Sequence, residues 1–318
     1  NHFNEGMENG KSEEEICEEL GNVEEIRQAF LDENPAAMTI NVNSNSDTVG
    51  NSDIYNRFYP GIQRVNAQLT DADIEIKKSS TNEVELSVTG GIADDMEVLK
   101  ETLRVSASVG TLSIQQEKKA GISVSYAASR LFGLKVGKYS ARIVIHIAVP
   151  EQFEKIEVKS ISGDIKANNS NAKTLLIHTG SGDVGVEDCQ ADELFASSIS
   201  GDVNVTACKA DKMDVVSVSG DIKAEFDKSA QCRAKSTSGD CKVTIGNQVD
   251  AVVSSTSGDV SVRYIGEIGL EMALSSDVSA VCGGINSKGK KKVQECFGDP
   301  DSKLKVSTIS GDIKVRDC

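Results

Sequence analysis

Aspartate is the residue in this chain whose type and spacing point most directly to chemistry. Seven copies of Ser-Gly-Asp occur between positions 162 and 312, and the Asp of the first six copies recurs at a constant 19-residue interval. Carboxylates stacked one strand spacing apart repel one another unless they are solvated, hydrogen-bonded or bridged by cations such as Ca²⁺. The Gly and Asp residues of this turn column are Gly163, Asp164, Gly182, Asp183, Gly201, Asp202, Gly220, Asp221, Gly239, Asp240, Gly258, Asp259, Gly311 and Asp312.

Calcium binding and a structural turn are the two hypotheses for this column. Calcium-binding β-rolls use a phrase of about nine residues with several oxygen ligands per ion, whereas this chain offers one Asp in each 19-residue unit. Gly before the Asp suits a corner, through either a positive φ or the room that it leaves, and the Asp can accept backbone N–H bonds in an Asx turn. We predict a structural turn without metal or cofactor, with a calcium-dependent structural module as the alternative.

The elements that must carry these corners form a solenoid. A fixed 19-residue repeat indicates coils that stack on one another. With the Asp as position 0, positions +1 and +3 (Ile165 and Ala167 in the first unit) and position −6 (Val158) are apolar and are predicted to point inward from short strands. The predicted fold is therefore all-β, a single-stranded parallel β-helix with 19-residue coils.

Position −3 is the candidate contact surface. Position −4 is Ser or Thr in all seven units, and positions −6 and −3 cannot both face the core of a flat strand, so the direction of position −3 is ambiguous unless the chain bends near position −4. Apolar or Thr side chains that are exposed at position −3 could contact a partner. The residues of this contact strip are Ile161, Ile199, Val218, Thr237, Thr256 and Ile309.

Eight Cys residues bear on the cellular compartment. No C-x-x-C pair is present and the three His residues are widely spread, so a zinc site has little support. Cys189 and Cys208 occupy position +6 of adjacent units, close enough in principle for a disulfide, and buried thiols that fill space are the favoured alternative. We expect reduced thiols and a location in the cytoplasm or on the cytoplasmic face of the membrane, with the cell surface as the alternative.

The chain is predicted to contain three regions. Residues 1–35 form a short module of two acidic amphipathic helices, of which the first begins at the capping box Ser12-Glu13-Glu14-Glu15. Residues 36–61 form a linker and a solenoid cap, in which Tyr55, Phe58 and Tyr59 plug the open end. Residues 62–318 form the β-helix, with irregular coils over 62–157, regular 19-residue repeats over 158–282, an insertion over 283–305 and a last coil over 306–318. The period slips after Asp259, and Ser275-Ser276-Asp277-Val278 reads as a degenerate next copy.

Charge and composition argue against several classes of protein. A net charge of −15 argues against nucleic-acid binding, and no run approaches the roughly 20 apolar residues of a membrane span. A polysaccharide-processing β-helix enzyme is the second alternative. Five successive intervals of equal length leave no room for its unequal loops, and residues 91–140 and 283–305 show no paired-carboxylate or Ser-His-Asp set. We predict no catalytic residue and no enzymatic activity.

Two stretches resemble known families. Gly10–Ile16 and Leu20–Ile26 resemble the second half of a HAAS-like helical module of bacterial membrane-associated or signalling-linked proteins. The phrase Ser-x-Ser-Gly-Asp-[Ile/Val]-x-[Val/Ala], preceded by Ile145-His146-Ile147-Ala148-Val149-Pro150, closely resembles the bacterial putative-adhesin family of unknown function over residues 62–318. This resemblance implies a right-handed β-helix in proteins linked to the Gram-positive cell envelope, and it brings no ligand and no catalytic residue.

These observations predict a non-enzymatic scaffold or adhesin-like binding protein linked to the bacterial cell envelope or its signalling. Its partner is a protein or an envelope polymer, and not a nucleic acid. The chain starts at Asn1 without Met and holds only the second half of the helical module. We therefore expect residues upstream, and membrane association could arise through them or through the module.

Overall fold

A computed structural model of the chain describes residues 55–90, 102–116, 143–226, 231–246, 249–265, 268–274, 281–282, 285–286, 292–297 and 303–317. The predicted helical module of residues 1–35 lies outside these ranges. Within them the fold is all-β, and no helix there is long and apolar enough to cross a membrane.

Two long sheets hold nearly all of the described strands, which are numbered along the chain. Sheet A has eleven strands: β1 (Tyr55–Tyr59), β3 (Asp73–Lys78), β4 (Val84–Gly90), β7 (Ile143–Val149), β9 (Ile165–Asn168), β11 (Val184–Glu187), β13 (Val203–Thr206), β15 (Ile222–Phe226), β17 (Cys241–Ile245), β19 (Val260–Tyr264) and β25 (Ile313–Asp317). Sheet B has twelve: β2 (Arg64–Leu69), β5 (Leu103–Ser108), β6 (Thr111–Gln116), β8 (Phe153–Ser160), β10 (Ala172–Thr179), β12 (Gln190–Ser198), β14 (Lys209–Ser217), β16 (Gln231–Ser236), β18 (Asp250–Ser254), β20 (Ile268–Leu274), β23 (Lys292–Phe297) and β24 (Lys303–Thr308). Strands β21 (Val281–Cys282) and β22 (Ile285–Asn286) form a small antiparallel pair.

Each regular coil contributes one strand to each sheet, parallel to the strand of the coil before it. Strand β11 lies between β9 and β13, so that Val184 is opposite Ile165 on one side and Val203 on the other. Side chains at positions +1, +3 and −6 of the regular coils are at most 2% exposed, and full burial of a Val or Ile side chain contributes about 1.5–3 kcal/mol. The predicted all-β parallel solenoid is confirmed.

At the amino-terminal end, the coils do not stack in the order of the sequence. The strand order is β5-β6-β2-β8 in sheet B and β1-β4-β7-β3-β9 in sheet A. The coil of β2 and β3 therefore lies between that of β6 and β7 and that of β8 and β9. Antiparallel strands β1, β4 and β5 complete this end. The region assigned to linker and cap thus includes β1, a strand of sheet A, whose Tyr55 and Tyr59 pack against the core.

The carboxyl-terminal end shows the same departure and corrects one prediction. Strand β24 lies between β18 and β20, and β25 pairs with β19. The coil of β24 and β25 therefore stacks directly on the coil of Asp259. The regular stack does not continue through residue 282, because β20 pairs with the far side of β24 and β23 pairs antiparallel beyond β20.

Candidate functional site

The Gly of each corner lies against the backbone of the preceding coil. A Cβ atom built on Gly220 would lie 2.0 Å from the carbonyl oxygen of Gly201, and one on Gly182 would lie 2.1 Å from that of Gly163. The glycines with positive φ are Gly61 and Gly110 among the described residues, and neither belongs to the column. Gly is therefore required at these corners for the room that it leaves, because the backbone of the preceding coil passes where a side chain would be.

A buried column of Ser and Thr hydroxyls at position −4 ties each corner to the preceding one. The Oγ of Ser217 accepts the N–H of Gly220 at 2.9 Å and donates to the carbonyl oxygen of Gly201 at 3.1 Å. The same two bonds are made by Thr179, Ser198, Ser236, Ser255 and Thr308. These hydroxyls are used as donor and as acceptor, as burial requires.

The carboxylates form a hydrogen-bond ladder along the solenoid. The Oδ1 of Asp202 accepts the backbone N–H of Asp221 at 2.8 Å, and the Oδ1 of Asp221 accepts that of Asp240 at 2.8 Å. The same bond, at 2.8–3.0 Å, joins Asp73 to Asp164, Asp164 to Asp183, Asp183 to Asp202, Asp240 to Asp259, and Asp259 to Asp312. These bonds connect neighbouring coils, where the sequence suggested an Asx turn within one coil.

Two members of the corner system lie outside the Ser-Gly-Asp phrase. Asp73 provides the first rung, which the apolar alternation after it signals. The Gln116 side chain completes the corner of that coil: its Oε1 accepts the backbone N–H groups of residues 70–72 at 3.0–3.1 Å, and its Nε2 donates to Asp71. The repeat spacing could not predict this role of Gln116, because Gln116 belongs to β6 and the corner that it bonds is distant in sequence.

These corners bring together few side chains that could bind a metal ion or catalyse a reaction. Among the residues that the structure describes, no three His, Cys, Asp or Glu side chains are grouped as ligands for a metal ion. Residues 91–140 and 283–305, where the sequence would place the loops of an enzyme site, fall mostly outside the described ranges.

The contact strip lies on the outside of the corner, just after strands β8, β12, β14, β16, β18 and β24 of sheet B. These strands turn positions −6 and −4 inward and end there, so position −3 points outward and the ambiguity is resolved. Backbone bonds between successive corners, such as that from the Ser219 N–H to the Ile199 carbonyl oxygen at 2.9 Å, keep the strip in line. Ile161 and Ile309 are each 56% exposed. The remaining members, Ile199, Val218, Thr237 and Thr256, are half-buried.

Apolar residues on the outer face of sheet B extend the strip. Leu176 and Phe195 are cross-strand neighbours at position −7, and Val216 lies outward at position −5 of the next coil. Phe195 is 36% exposed and Val252, also at position −7, is 40% exposed. The sequence pattern did not single out these residues, because outward positions of an alternating strand are ordinarily polar.

The sequence was compared with known protein families. The sequence matches the family Toastrack DUF4097 over residues 62–316, which is most of the chain. The chain belongs to this family. The matched region includes every strand of the Toastrack DUF4097 solenoid from β2 to all but the last residue of β25. No curated protein matches the sequence.

Three solved structures are similar to this Toastrack DUF4097 chain. A "putative adhesin" from Bacteroides fragilis is 16% identical, with 83% of this chain and 96% of that chain covered and a TM-score of 0.45. A "putative lipid binding protein" from Parabacteroides distasonis is 15% identical, with 82% and 96% covered and a TM-score of 0.44. A "putative adhesin" from Parabacteroides merdae is 13% identical, with 82% and 95% covered and a TM-score of 0.38.

Charged side chains border the outer face of sheet B in the Toastrack DUF4097 solenoid. The Glu157 carboxylate lies 2.8 Å from the Nζ of Lys155 and 3.0 Å from that of Lys159. Partial burial opposes ionisation of Glu157, but the hydrogen bonds from the two lysines outweigh it and lower its pKa. Burial, followed by the charge of Lys159, lowers the pKa of His178, whose Nδ1 lies 2.7 Å from the Ser197 hydroxyl. His178 is therefore neutral at neutral pH.

The opposite corner of the Toastrack DUF4097 coil, at position +6, holds thiols. Cys189 and Cys208 are buried free thiols on adjacent coils, and the Cys189 sulfur lies 3.2 Å from the Ser170 hydroxyl. The neighbouring Cys208 thiol lowers the pKa of Cys189, and the same contact together with burial raises the pKa of Cys208. Cys232 and Cys241 are also buried free thiols, and the side chains of the other four Cys lie outside the described part of the chain.

Proposed function

We propose that this protein is a non-enzymatic, adhesin-like binding scaffold of the bacterial cell envelope. Its partner would be held on the contact strip and on the adjoining outer face of sheet B. The observation that carries the proposal is the exposure of apolar side chains along this line. Ile161 and Ile309 are each 56% exposed, and Phe195 is 36% exposed.

The arrangement of these side chains supports a binding surface. Single exposed apolar residues are ordinary on proteins, whereas contiguous apolar patches mark sites of interaction. Leu176, Phe195 and Val216 lie in rows beside Ile199 and Val218, on strands paired without a shift in register. Covering such a surface contributes about 25 cal/mol per Å² of apolar area removed from water.

The stiffness of the corners also supports this function. Each corner is joined to the next by an Asp bond, and in the regular coils also by the Ser or Thr bonds of position −4. A surface held in this way loses little conformational entropy when a partner binds, because its geometry exists beforehand. A partner protein of the envelope or of its signalling, or an envelope polymer with an apolar side, would suit it.

The experiment compares capture of envelope components by immobilised native protein and by the triple variant Ile161→Lys, Ile199→Lys, Val218→Lys. We expect the native protein to retain a component that the triple variant loses, because three ammonium groups on the strip cannot be desolvated by an apolar partner.

The matched control is the triple variant Asn168→Lys, Gln190→Lys, Gln231→Lys. It adds the same charge at exposed positions away from the strip, and it should capture the component as the native protein does. Equal capture by all three forms would overturn the contact strip as the binding surface.

The envelope location has a test of its own. Fractionation of bacteria that produce the full-length protein should recover it with membranes or cell wall. Complete recovery in the soluble fraction would contradict this part of the proposal and leave the binding surface to be judged by the capture experiment.

A further inference from the structure

The outer face of sheet A changes character along the solenoid. Its outward rows are positions +2 and +4. In the coils of β9, β11 and β13 these positions are Lys166, Gly185, Asn204, Asn168, Glu187 and Thr206, which together carry no net charge. In the coils of β15, β17, β19 and β25 they include five exposed cations, Lys223, Lys242, Arg263, Lys314 and Arg316, which we call the basic face. This concentration of positive charge lies in a chain with a net charge of −15.

The strand register places like charges directly opposite one another on the basic face. Lys223 is the cross-strand neighbour of Lys242, and Arg263 is that of Arg316. Opposed like charges on adjacent strands destabilise a sheet. The opposed cations therefore destabilise the sheet locally. The alternation of inward and outward residues does not require cations here, since Ser and Thr occupy other outward positions of the same coils.

Among the described residues, the cations of the basic face have no ion-pair partner, while ion pairs do form on sheet B. The acid within the rows, Glu225, accepts the backbone N–H of Ala207 at 3.4 Å. The nearby corner aspartates Asp221, Asp240 and Asp259 use one oxygen each for the ladder.

We propose that the basic face binds a phosphate-bearing polymer, a single chain of phosphodiesters lying along the solenoid axis. Successive strands are about 4.8 Å apart, so the cations form two rows parallel to the axis. In the row of position +2, Lys242 lies one strand spacing from Lys223 and Lys314 lies three. Guanidinium groups such as those of Arg263 and Arg316 bind phosphate oxygens through two parallel hydrogen bonds.

Carboxylates along one edge of the basic face favour binding of a single polymer chain over binding of a broad anionic surface. The corner aspartates Asp221, Asp240, Asp259 and Asp312 follow one side of it, two residues before the first row of cations. A membrane or a nucleic-acid duplex is wide enough to meet these carboxylates and would be repelled. Single-stranded nucleic acid is bound largely by stacking of bases on aromatic side chains, and the two rows contain none.

The experiment measures binding of end-labelled linear polyphosphate by fluorescence anisotropy at low and high salt. The face variant carries Lys223→Gln, Lys242→Gln, Arg263→Gln and Arg316→Gln. The control variant removes the same charge from exposed lysines elsewhere, with Lys166→Gln, Lys173→Gln, Lys209→Gln and Lys212→Gln. Thermal melts establish that both variants fold, and the face variant should melt at or above the native temperature because opposed like charges have been removed.

We expect the face variant to bind polyphosphate at least roughly tenfold more weakly than the native protein at low salt, and the control variant to bind as the native protein does. The slope of log affinity against log salt should flatten by roughly 3 in the face variant, because each phosphate contact contributes about 0.7 for a single chain. The contact-strip variant should keep full binding, which separates this surface from the one under the proposed function.

Several results would overturn the proposal. An equal loss of polyphosphate affinity in the face and control variants would show that the protein attracts the polymer by its overall charge and has no specific site. Equal or tighter binding of polyglutamate would assign the face to a carboxylate partner, and that of single-stranded DNA would assign it to nucleic acid. Binding to phosphatidylglycerol vesicles that depends on these four residues would assign it to a membrane. Absence of polyphosphate binding by the native protein would remove the site.

Discussion

At the scale of single residues, each corner position answers a separate physical requirement. Gly220 is needed for space, Ser217 for satisfying a buried N–H and a buried carbonyl, and Asp221 for a bond to the next coil. Ser219, between them, is exposed, and its side chain makes no hydrogen bond to a described residue. The corner is therefore a structural unit in which the buried Ser hydroxyl and the Asp carboxylate are hydrogen-bonded within the fold.

Replacement of Gly220 by Ala should destabilise the protein strongly. The new Cβ would lie 2.0 Å from a backbone oxygen that cannot move without shifting a whole coil, and such overpacking costs about 1–3 kcal/mol or more. Gly185→Ala is the matched control, since its Cβ would meet no atom closer than 3.8 Å. Urea unfolding measures both. Similar unfolding midpoints for the two variants would contradict the role of close approach at the corner.

Ser217→Ala should lower the free energy of unfolding by about 1–3 kcal/mol, because it leaves the Gly220 N–H and the Gly201 carbonyl buried without a partner. Ser219→Ala, at the exposed Ser of the same corner, should change it by less than about 0.5 kcal/mol. Urea unfolding of the two variants under identical conditions makes the comparison. An equal loss in both would assign the effect to Ser content and not to the buried bonds.

Cys241→Val should flatten the alkaline part of the stability profile. Burial raises the pKa of Cys241 to about 12, whereas a thiol in the unfolded chain ionises near pH ~8.5. Its contribution is complete below the unfolded pKa and is lost as pH rises toward the folded pKa, by about 1.4 kcal/mol per pH unit. Urea unfolding at about pH 7.5 and 10.5 should show a larger loss in the native protein than in the variant. Equal losses would contradict the raised pKa.

At the scale of the strands, one repeat length controls the regular coils. A shift by one 19-residue unit brings every residue onto its equivalent in the next coil, so the core, the Ser/Thr column and the Asp ladder share one register. A slip by a single residue would turn all inward side chains outward. Each coil is consequently an interchangeable part of the stack.

Removal of residues 203–221 should therefore leave a folded protein. The deletion joins Asp202 to Ile222 and removes one complete 19-residue coil, so all corner bonds can form again between the new neighbours. The shorter deletion 203–220 keeps Asp221, displaces the register by a single position and should abolish folding. Far-UV circular dichroism and thermal melts distinguish the two forms. Cooperative melting of the shorter deletion would contradict the shared register.

The sequence was sufficient for the inward positions and insufficient for several other features. Positions +1, +3 and −6 could be predicted because burial imposes alternation on a strand. The direction of Ile161 and Val218 could not, since apolar residues stand at both −6 and −3. The order of strands at the two ends could not be predicted, because the spacing of residues in the sequence does not determine which strands pair. The basic face required the register, which shows that Lys223 and Lys242 lie opposite one another.

At the scale of the whole solenoid, sheets A and B offer two unlike outer faces held by one ladder. The outer face of sheet B is partly apolar and continues into the contact strip, whereas the later coils of sheet A are basic. Both are set by the stacking of coils, so the integrity of the corners decides whether either face exists.

Chelation of calcium should leave this structure unchanged. The carboxylate of each corner from Asp164 to Asp259 accepts a backbone N–H of the next coil, as Asp202 does from Asp221, so repulsion along the column is offset by hydrogen bonds. Thermal melts with EDTA and with added Ca²⁺ should coincide. A melting temperature that falls with EDTA and recovers with Ca²⁺ would favour the calcium-dependent module over a purely structural turn.

The position of β24 between β18 and β20 has a consequence for synthesis on the ribosome. Strand β20 emerges before β24, at a time when the edge of β18 is still open. Direct pairing of β20 with β18 would fill the place that β24 must take, and this non-native sheet would have to open again before the stack could be completed. Vectorial production of the chain thus runs against the order in which this end is assembled, and nascent protein is exposed to mispairing until residues 303–308 are made.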